Sequence, residues 1–124
     1  MAWSFLGPVK DARANAVTTY IGTGGKLAVY SSAYGQKLVE WSWTANMYAA
    51  SSSGVMAMNA PTTNPVTPLA NGTAAIARIT QSNGTTVAVQ DLTVGTSGAD
   101  VNISNLNIVT TSPVTLSTDT LTEA

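Results

Sequence analysis

Residues 73–94, TAAIARITQSNGTTVAVQDLTV, set two runs of alternating apolar and polar residues on either side of Asn83-Gly84. No other stretch restricts the folding of this chain so tightly. Alternation with a period of two describes a strand with one buried face. Asn-Gly between two such runs is the preferred two-residue type I′ turn, because both residues tolerate positive φ. The expected unit is an antiparallel hairpin. A turn at that place puts Arg78 opposite Val89, with Asp91 diagonal to it on the same face as a surface pair.

The same grammar runs through most of the chain. KLAVYS (26–31), KLVEWSWTA (37–45) and VMAMNA (55–60) read as strands. In the second, Val39, Trp41 and Trp43 share one face, and Leu38, Glu40 and Ser42 the other. VNISNLNIV (101–109) turns Val101 and Ile103 inward, then Leu106 and Ile108 after a change of parity near Asn105 that marks a bulge or a strand end. SPVTLSTDTLTEA (112–124) alternates through Val114, Leu116, Thr118 and Thr120.

One segment follows helical spacing instead. In PVKDARANAVTTYI (8–21), Pro8 suits the first helical position, and Val9, Ala12, Ala16, Val17, Tyr20 and Ile21 form an apolar stripe. Gly22 stops the helix, and GTGG (22–25) is a flexible turn. AASSSG (49–54) is a small-residue loop, whereas PTTNPVTPLANG (61–72), with three prolines, is a stiff loop or an extended arm. The expected fold is mainly β: an antiparallel β-sandwich or barrel with one short N-terminal helix, in a single domain of 124 residues.

Composition narrows the function. Charged residues are 9% of the chain, against roughly 25% in an ordinary soluble domain. A surface so poor in charge resists association weakly, which favours a life packed against neighbours. Lys10, Arg13, Lys26, Lys37 and Arg78 are scattered and the net charge is −1, so no nucleic-acid face is expected. No run approaches the roughly 18 apolar residues of a membrane helix. The start, MAWSFLGPVKDARAN, has a short apolar run and no basic segment before it, so the expectation is a soluble protein made in the cytoplasm rather than a secreted one.

The chain has neither His nor Cys, which removes the commonest general base, the commonest zinc ligand and any disulfide. TVGTSGADVNIS (93–104) has spaced glycines but no Lys, and a strand pattern follows it. It reads as a turn capped by Ser97 or Asp100, not a phosphate loop. Asp91, Asp100 and Asp119 are isolated, so neither metal nor cofactor is expected; a calcium site built with backbone carbonyls is the alternative. An enzyme would need acids such as Asp91 and Asp100 brought together by the fold alone. The sequons at Asn71, Asn83 and Asn102 are read as coincidental.

Trp41 and Trp43 admit three readings: core, protein interface, or a sugar-stacking platform. Trp3, Phe5 and Leu6 precede the helix and are read as reaching into a neighbour.

Several segments together carry a resemblance: GGKLAVYSS, AASSSGVMAMNA, ARITQSNGTTVAVQDLTVGTSGADVNIS and the TLTEA end, with VGTSGADVNI the most specific. Over these, from about Ala16 onward, the chain resembles a family of small structural proteins encoded near the head and tail genes of tailed phages. WSWTANMY (41–48) is richer in Trp than the family pattern, and MAWSFLG has no firm counterpart in it.

The resemblance implies a non-enzymatic virion component. Among such roles the expectation is a capsid decoration (cement) protein on the phage head, binding across subunits of the major capsid protein. A homo-oligomer is expected, with a trimer favoured. Its contacts are expected at Trp3, Phe5, Leu6, Trp41, Trp43, Pro65 and Pro68, with 1–7 as a docking arm, the 61–72 loop as a second contact and strand addition at an open sheet edge as a further option. The alternatives are a neck, tail or fibre-associated protein, and a small carbohydrate-binding module using Trp41, Trp43 or Tyr48.

Overall fold

The computed structural model describes residues 7–50, 55–117 and 120–122. It is mainly β with one α-helix. Helix α1 (Gly7–Ile21) leads into β1 (Lys26–Tyr30), a short 3₁₀ turn (Ser32–Tyr34) and β2 (Lys37–Ser42). Then follow β3 (Val55–Ala57), β4 (Gly72–Thr73), β5 (Ile76–Thr80), β6 (Val87–Gly95), β7 (Val101–Ile103), β8 (Asn107–Ile108), β9 (Leu116–Ser117) and β10 (Thr120–Thr122). Six of these form one curled sheet in the order β2-β1-β5-β6-β7-β9, a half-barrel; β10 pairs with β3, and β4 with β8.

The inward face of the sheet is set by register. Trp41 lies opposite Leu27 and Val39 opposite Val29; across the next ladder Leu27 meets Ile79 and Val29 meets Ala77. All six are 0% exposed. Met47, Met56, Ile103, Ile108 and Val114 complete the same core.

The helix has close to the expected bounds, but of the expected stripe only Val17 and Ile21 dock. Ala14 and Ile21 are buried, Val17 packs on the core, and the Thr18 hydroxyl donates to Met56 Sδ at 3.1 Å. Val9, Ala12, Ala16 and Tyr20 of the expected stripe lie exposed. The docked line runs through Ala14, Val17 and Ile21, with the small Ala14 replacing Val9, Ala12 and Ala16 as the contact of the first turns.

The β5–β6 hairpin keeps the expected register only beside the turn, where Thr80 pairs with Val87. Gly84 has φ 74, but Asn83 does not enter the positive region, so the turn is not type I′. It is closed instead by the Gly84 N–H on the Gln81 carbonyl at 2.9 Å, while Asn83 Oδ1 accepts the N–H groups of Thr85 and Thr86. Two irregularities then shift the strands: Ile79 pairs with Val89, and Ala77 with Leu92. Arg78 therefore faces a bulge made of Gln90 and Asp91, not Val89.

The sheet is mixed, because β6 and β7 run parallel although only residues 96–100 separate them. Parallel neighbours ordinarily need a crossover of a dozen or more residues. Here the pairing is two residues long, Val94 with Val101 and Gly95 with Asn102, so one tight loop suffices. Asp100 clasps it: its Oδ2 accepts the Thr93 N–H at 2.9 Å and the Thr93 hydroxyl at 3.0 Å, and its own N–H donates to Thr93 Oγ1 at 2.9 Å. The expected capping by Asp100 is thus realised, at a parallel turn.

The proline-rich 61–72 segment is the stiff loop of the two expected alternatives, not an extended arm. It straps the open side of the half-barrel, between β2 and β9. Thr62 N–H reaches the Ser42 carbonyl and Leu69 N–H the Leu38 carbonyl on one edge. On the other, Val66 and Val114 exchange backbone bonds, and Asn64 pairs with both backbone groups of Leu116. Both outer edges of the large sheet are therefore partly engaged by the chain itself, at Leu38 and Ser42 on one side and at Leu116 on the other.

Candidate functional site: a charged aromatic face

The outward face of the same strands gathers most of the charge on the described residues. Register puts Lys26, Ala28 and Tyr30 of β1 beside Ser42, Glu40 and Lys37 of β2, and beside Thr80, Arg78 and Ile76 of β5. Lys37 Nζ lies 2.9 Å from Glu40 Oε2, and Lys26 Nζ 4.0 Å from Glu40 Oε1. These long side chains, with Arg78, lie over Ala28, which is only 2% exposed. The hydrogen bond to Glu40 raises the Lys37 ammonium above its ordinary pKa, against a smaller opposing effect of burial.

At the centre, the Arg78 guanidinium sits 4.8 Å from the Tyr30 ring centroid and 4.9 Å from that of Tyr34. The two rings meet edge to face at 5.2 Å. Both distances suit a cation held against ring faces. The Tyr34 hydroxyl donates to Asp91 Oδ1 at 3.0 Å and accepts the Asp91 N–H at 2.7 Å. Burial, chiefly, raises the Tyr34 phenol above its ordinary pKa. Arg78 itself makes no hydrogen bond or ion pair among the described residues, and its Nε is buried without a partner.

Backbone strain converges on this cluster. Only three described non-glycine residues have positive φ: Ala33 (57°), Tyr34 (57°) and Asp91 (59°). Two of them are the partners of the Tyr34–Asp91 bonds, and the third precedes Tyr34. Such conformations cost of order 1–3 kcal/mol each and persist where the surroundings fix them. Here they bring the Tyr34 ring over Arg78 and aim the Asp91 bulge at the Tyr34 hydroxyl.

The expected contact residues fare differently. Trp3, Phe5 and Leu6 lie outside the described residues, as do 51–54 of the small-residue loop. Trp41 and Trp43 are core, not interface: they are 0% and 3% exposed, and their indole N–H groups reach Asn64 Oδ1 at 3.3 Å and the Asn59 carbonyl at 2.8 Å. Tyr48 is buried too. Of the strap's own prolines, Pro68 is buried and Pro65, after a cis peptide bond, is exposed. Asp91 and Asp100 stand on the same strand region but have separate partners, Tyr34 and Thr93.

Sequence reasoning paired Arg78 with Asp91 as surface charges and missed the tyrosines. Tyr30 and Tyr34 are brought together by the 3₁₀ turn between β1 and β2, which no pattern announces. Among the described residues no enclosed pocket forms, no three acidic side chains gather as metal ligands, and no helix is long and apolar enough to cross a membrane. Neither a known protein family, nor a curated protein, nor a solved structure matches this chain.

Proposed function

We propose that this chain is a non-enzymatic structural component of a tailed-phage particle, acting as a decoration protein that binds across subunits of the major capsid protein. The observation that carries the reading is the two-sided surface. Charge is drawn to the outward sheet face, where Lys26, Lys37, Glu40, Arg78 and Asp91 lie together. On the inward side, α1 leaves Val9 and Tyr20 43% and 53% exposed, with Ala12, Ala16 and the exposed Arg13 on the same helical face. The strap adds Leu69 at 62%. A protein whose sheet face gathers charge while its helix leaves a mainly apolar stripe in solvent, with Arg13 as the cation within it, suits a cap on a larger assembly.

The carbohydrate-binding alternative loses its platform, since Trp41, Trp43 and Tyr48 are buried. The neck and tail alternative differs from decoration in copy number. Quantitative mass spectrometry of purified particles, referenced to the major capsid protein, decides between them. Hundreds of copies with gold labelling over the head are expected. A dozen or fewer at one vertex would move the protein to the neck or tail, and absence from particles would end the virion reading.

A further inference from the structure

We propose that Arg78, clamped between Tyr30 and Tyr34, is a docking anchor for a carboxylate side chain on an acidic segment of a partner protein. The proposal does not depend on the virion reading. An arginine carries five N–H donors and no acceptor, and its planar fork matches a carboxylate with two parallel bonds. In this chain every other charged group of the face is committed. Lys37 and Lys26 share Glu40, and Asp91 takes the Tyr34 hydroxyl. Arg78 alone has rings on its faces and no acceptor for its donors.

The arrangement carries local backbone strain. Tyr34 is held at positive φ, and so is Asp91 opposite Arg78. Their mutual bonds fix the guanidinium in one place, which lowers the entropy lost when an acceptor arrives. Tyrosine and arginine are also the residue types that dominate binding energy at protein interfaces.

The occupant follows from charge and shape. Lys26, Lys37 and Arg78 outnumber Glu40 and Asp91 on this face, in a chain whose net charge is −1. The face therefore attracts acidic groups. It is shallow, with no enclosed pocket among the described residues, so it suits the side chains of another protein better than an engulfed small molecule.

The test is a titration of the isotopically labelled full chain, followed by NMR at the Arg78 Nε–H and the Tyr34 ring. The probes are hexaglutamate, hexaglutamine and inorganic phosphate at constant ionic strength. Hexaglutamate is expected to shift both signals saturably, and hexaglutamine to leave them unmoved. Arg78→Gln should weaken the interaction by about a hundredfold, the loss of both charge-assisted bonds of the fork. Arg78→Lys should weaken it also, because the fork is lost. Tyr34→Phe, which keeps the ring, should fold and bind more weakly through its freed loop. No shift with hexaglutamate, an unchanged response in Arg78→Gln, or an equal shift with phosphate alone would each overturn the proposal; the last would make the site one for free anions.

Discussion

Asn64 does for this fold what a strand residue would do with its backbone. Its Oδ1 accepts the Leu116 N–H at 2.9 Å and the Trp41 indole N–H at 3.3 Å, and its Nδ2 donates to the Leu116 carbonyl at 2.8 Å. One side chain thus links the two edges of the half-barrel. Asn64→Ala should cost about 2–3 kcal/mol in urea unfolding, because a buried indole donor and two backbone groups lose their partner. A cost below about 0.5 kcal/mol would mean water replaces the amide freely. Tyr34 and Lys37 set a different test. Both have folded-state pKa values raised above the ordinary ones, Tyr34 mainly by burial and Lys37 mainly by its bond to Glu40. Their protonated forms therefore favour the fold: the contribution is complete below about pH 10 and fades as the pH climbs past it. Melting temperatures should hold level from neutral pH to about pH 9.5 and fall above it. Tyr34→Phe and Lys37→Met should each flatten that fall; an identical alkaline slope in both variants would assign it elsewhere.

At the scale of elements, the joint between α1 and β1 rests on Gly25. A Cβ there would collide with the Ile21 side chain and stand 3.4 Å from Met47 Cε. Gly25→Ala should destabilise by about 1–3 kcal/mol through overpacking. Gly84→Ala acts otherwise: there is room, with Lys26 Cδ at 3.9 Å, but φ is 74°, so about 1 kcal/mol of backbone strain is expected. Comparing the two by denaturation separates crowding from strain. These joints also show why some elements were legible in the sequence and others not. The strands β2, β5 and β6 announce themselves by alternation in the sequence and β1 by a short apolar run buried on both faces, and α1 is bounded by Pro8 and Gly22. The docked face of α1 was not legible, since Ala14 and Thr18 are weak apolar markers beside Val9 and Tyr20, which stay exposed. The pairing of Arg78 was lost because Ala88 and the Gln90–Asp91 bulge are extra residues that no alternation reveals. The 61–72 segment reads as a stiff loop or an arm, and the loop is what forms; its strapping role was not legible, because prolines exclude a central strand but say nothing about an Asn side chain standing in for one. The candidate site was half legible: Arg78 and Asp91 were placed together, while Tyr30 and Tyr34 needed the 3₁₀ turn.

The whole molecule divides its surface, and that division makes a claim about orientation. If the protein caps a larger assembly, the face that keeps its water should be the one carrying Lys26, Lys37 and Glu40, whose side chains remain 33%, 33% and 23% exposed. Covering Tyr20, Val9 or Leu69 releases ordered water, whereas covering those charges is favourable only beneath a partner that supplies matching charge. Labelling of free protein and assembled particles should therefore diverge by side. Amine acylation should reach Lys26 and Lys37 equally in both states. Hydroxyl-radical oxidation of Tyr20 and Leu69 should drop severalfold on assembly. The opposite pattern, protected lysines with Tyr20 still reactive, would invert the orientation and make the Arg78 face the anchor to the particle. Equal labelling everywhere would leave no docked face among the described residues, and the exposed stripe of α1 would then be a product of helix geometry alone.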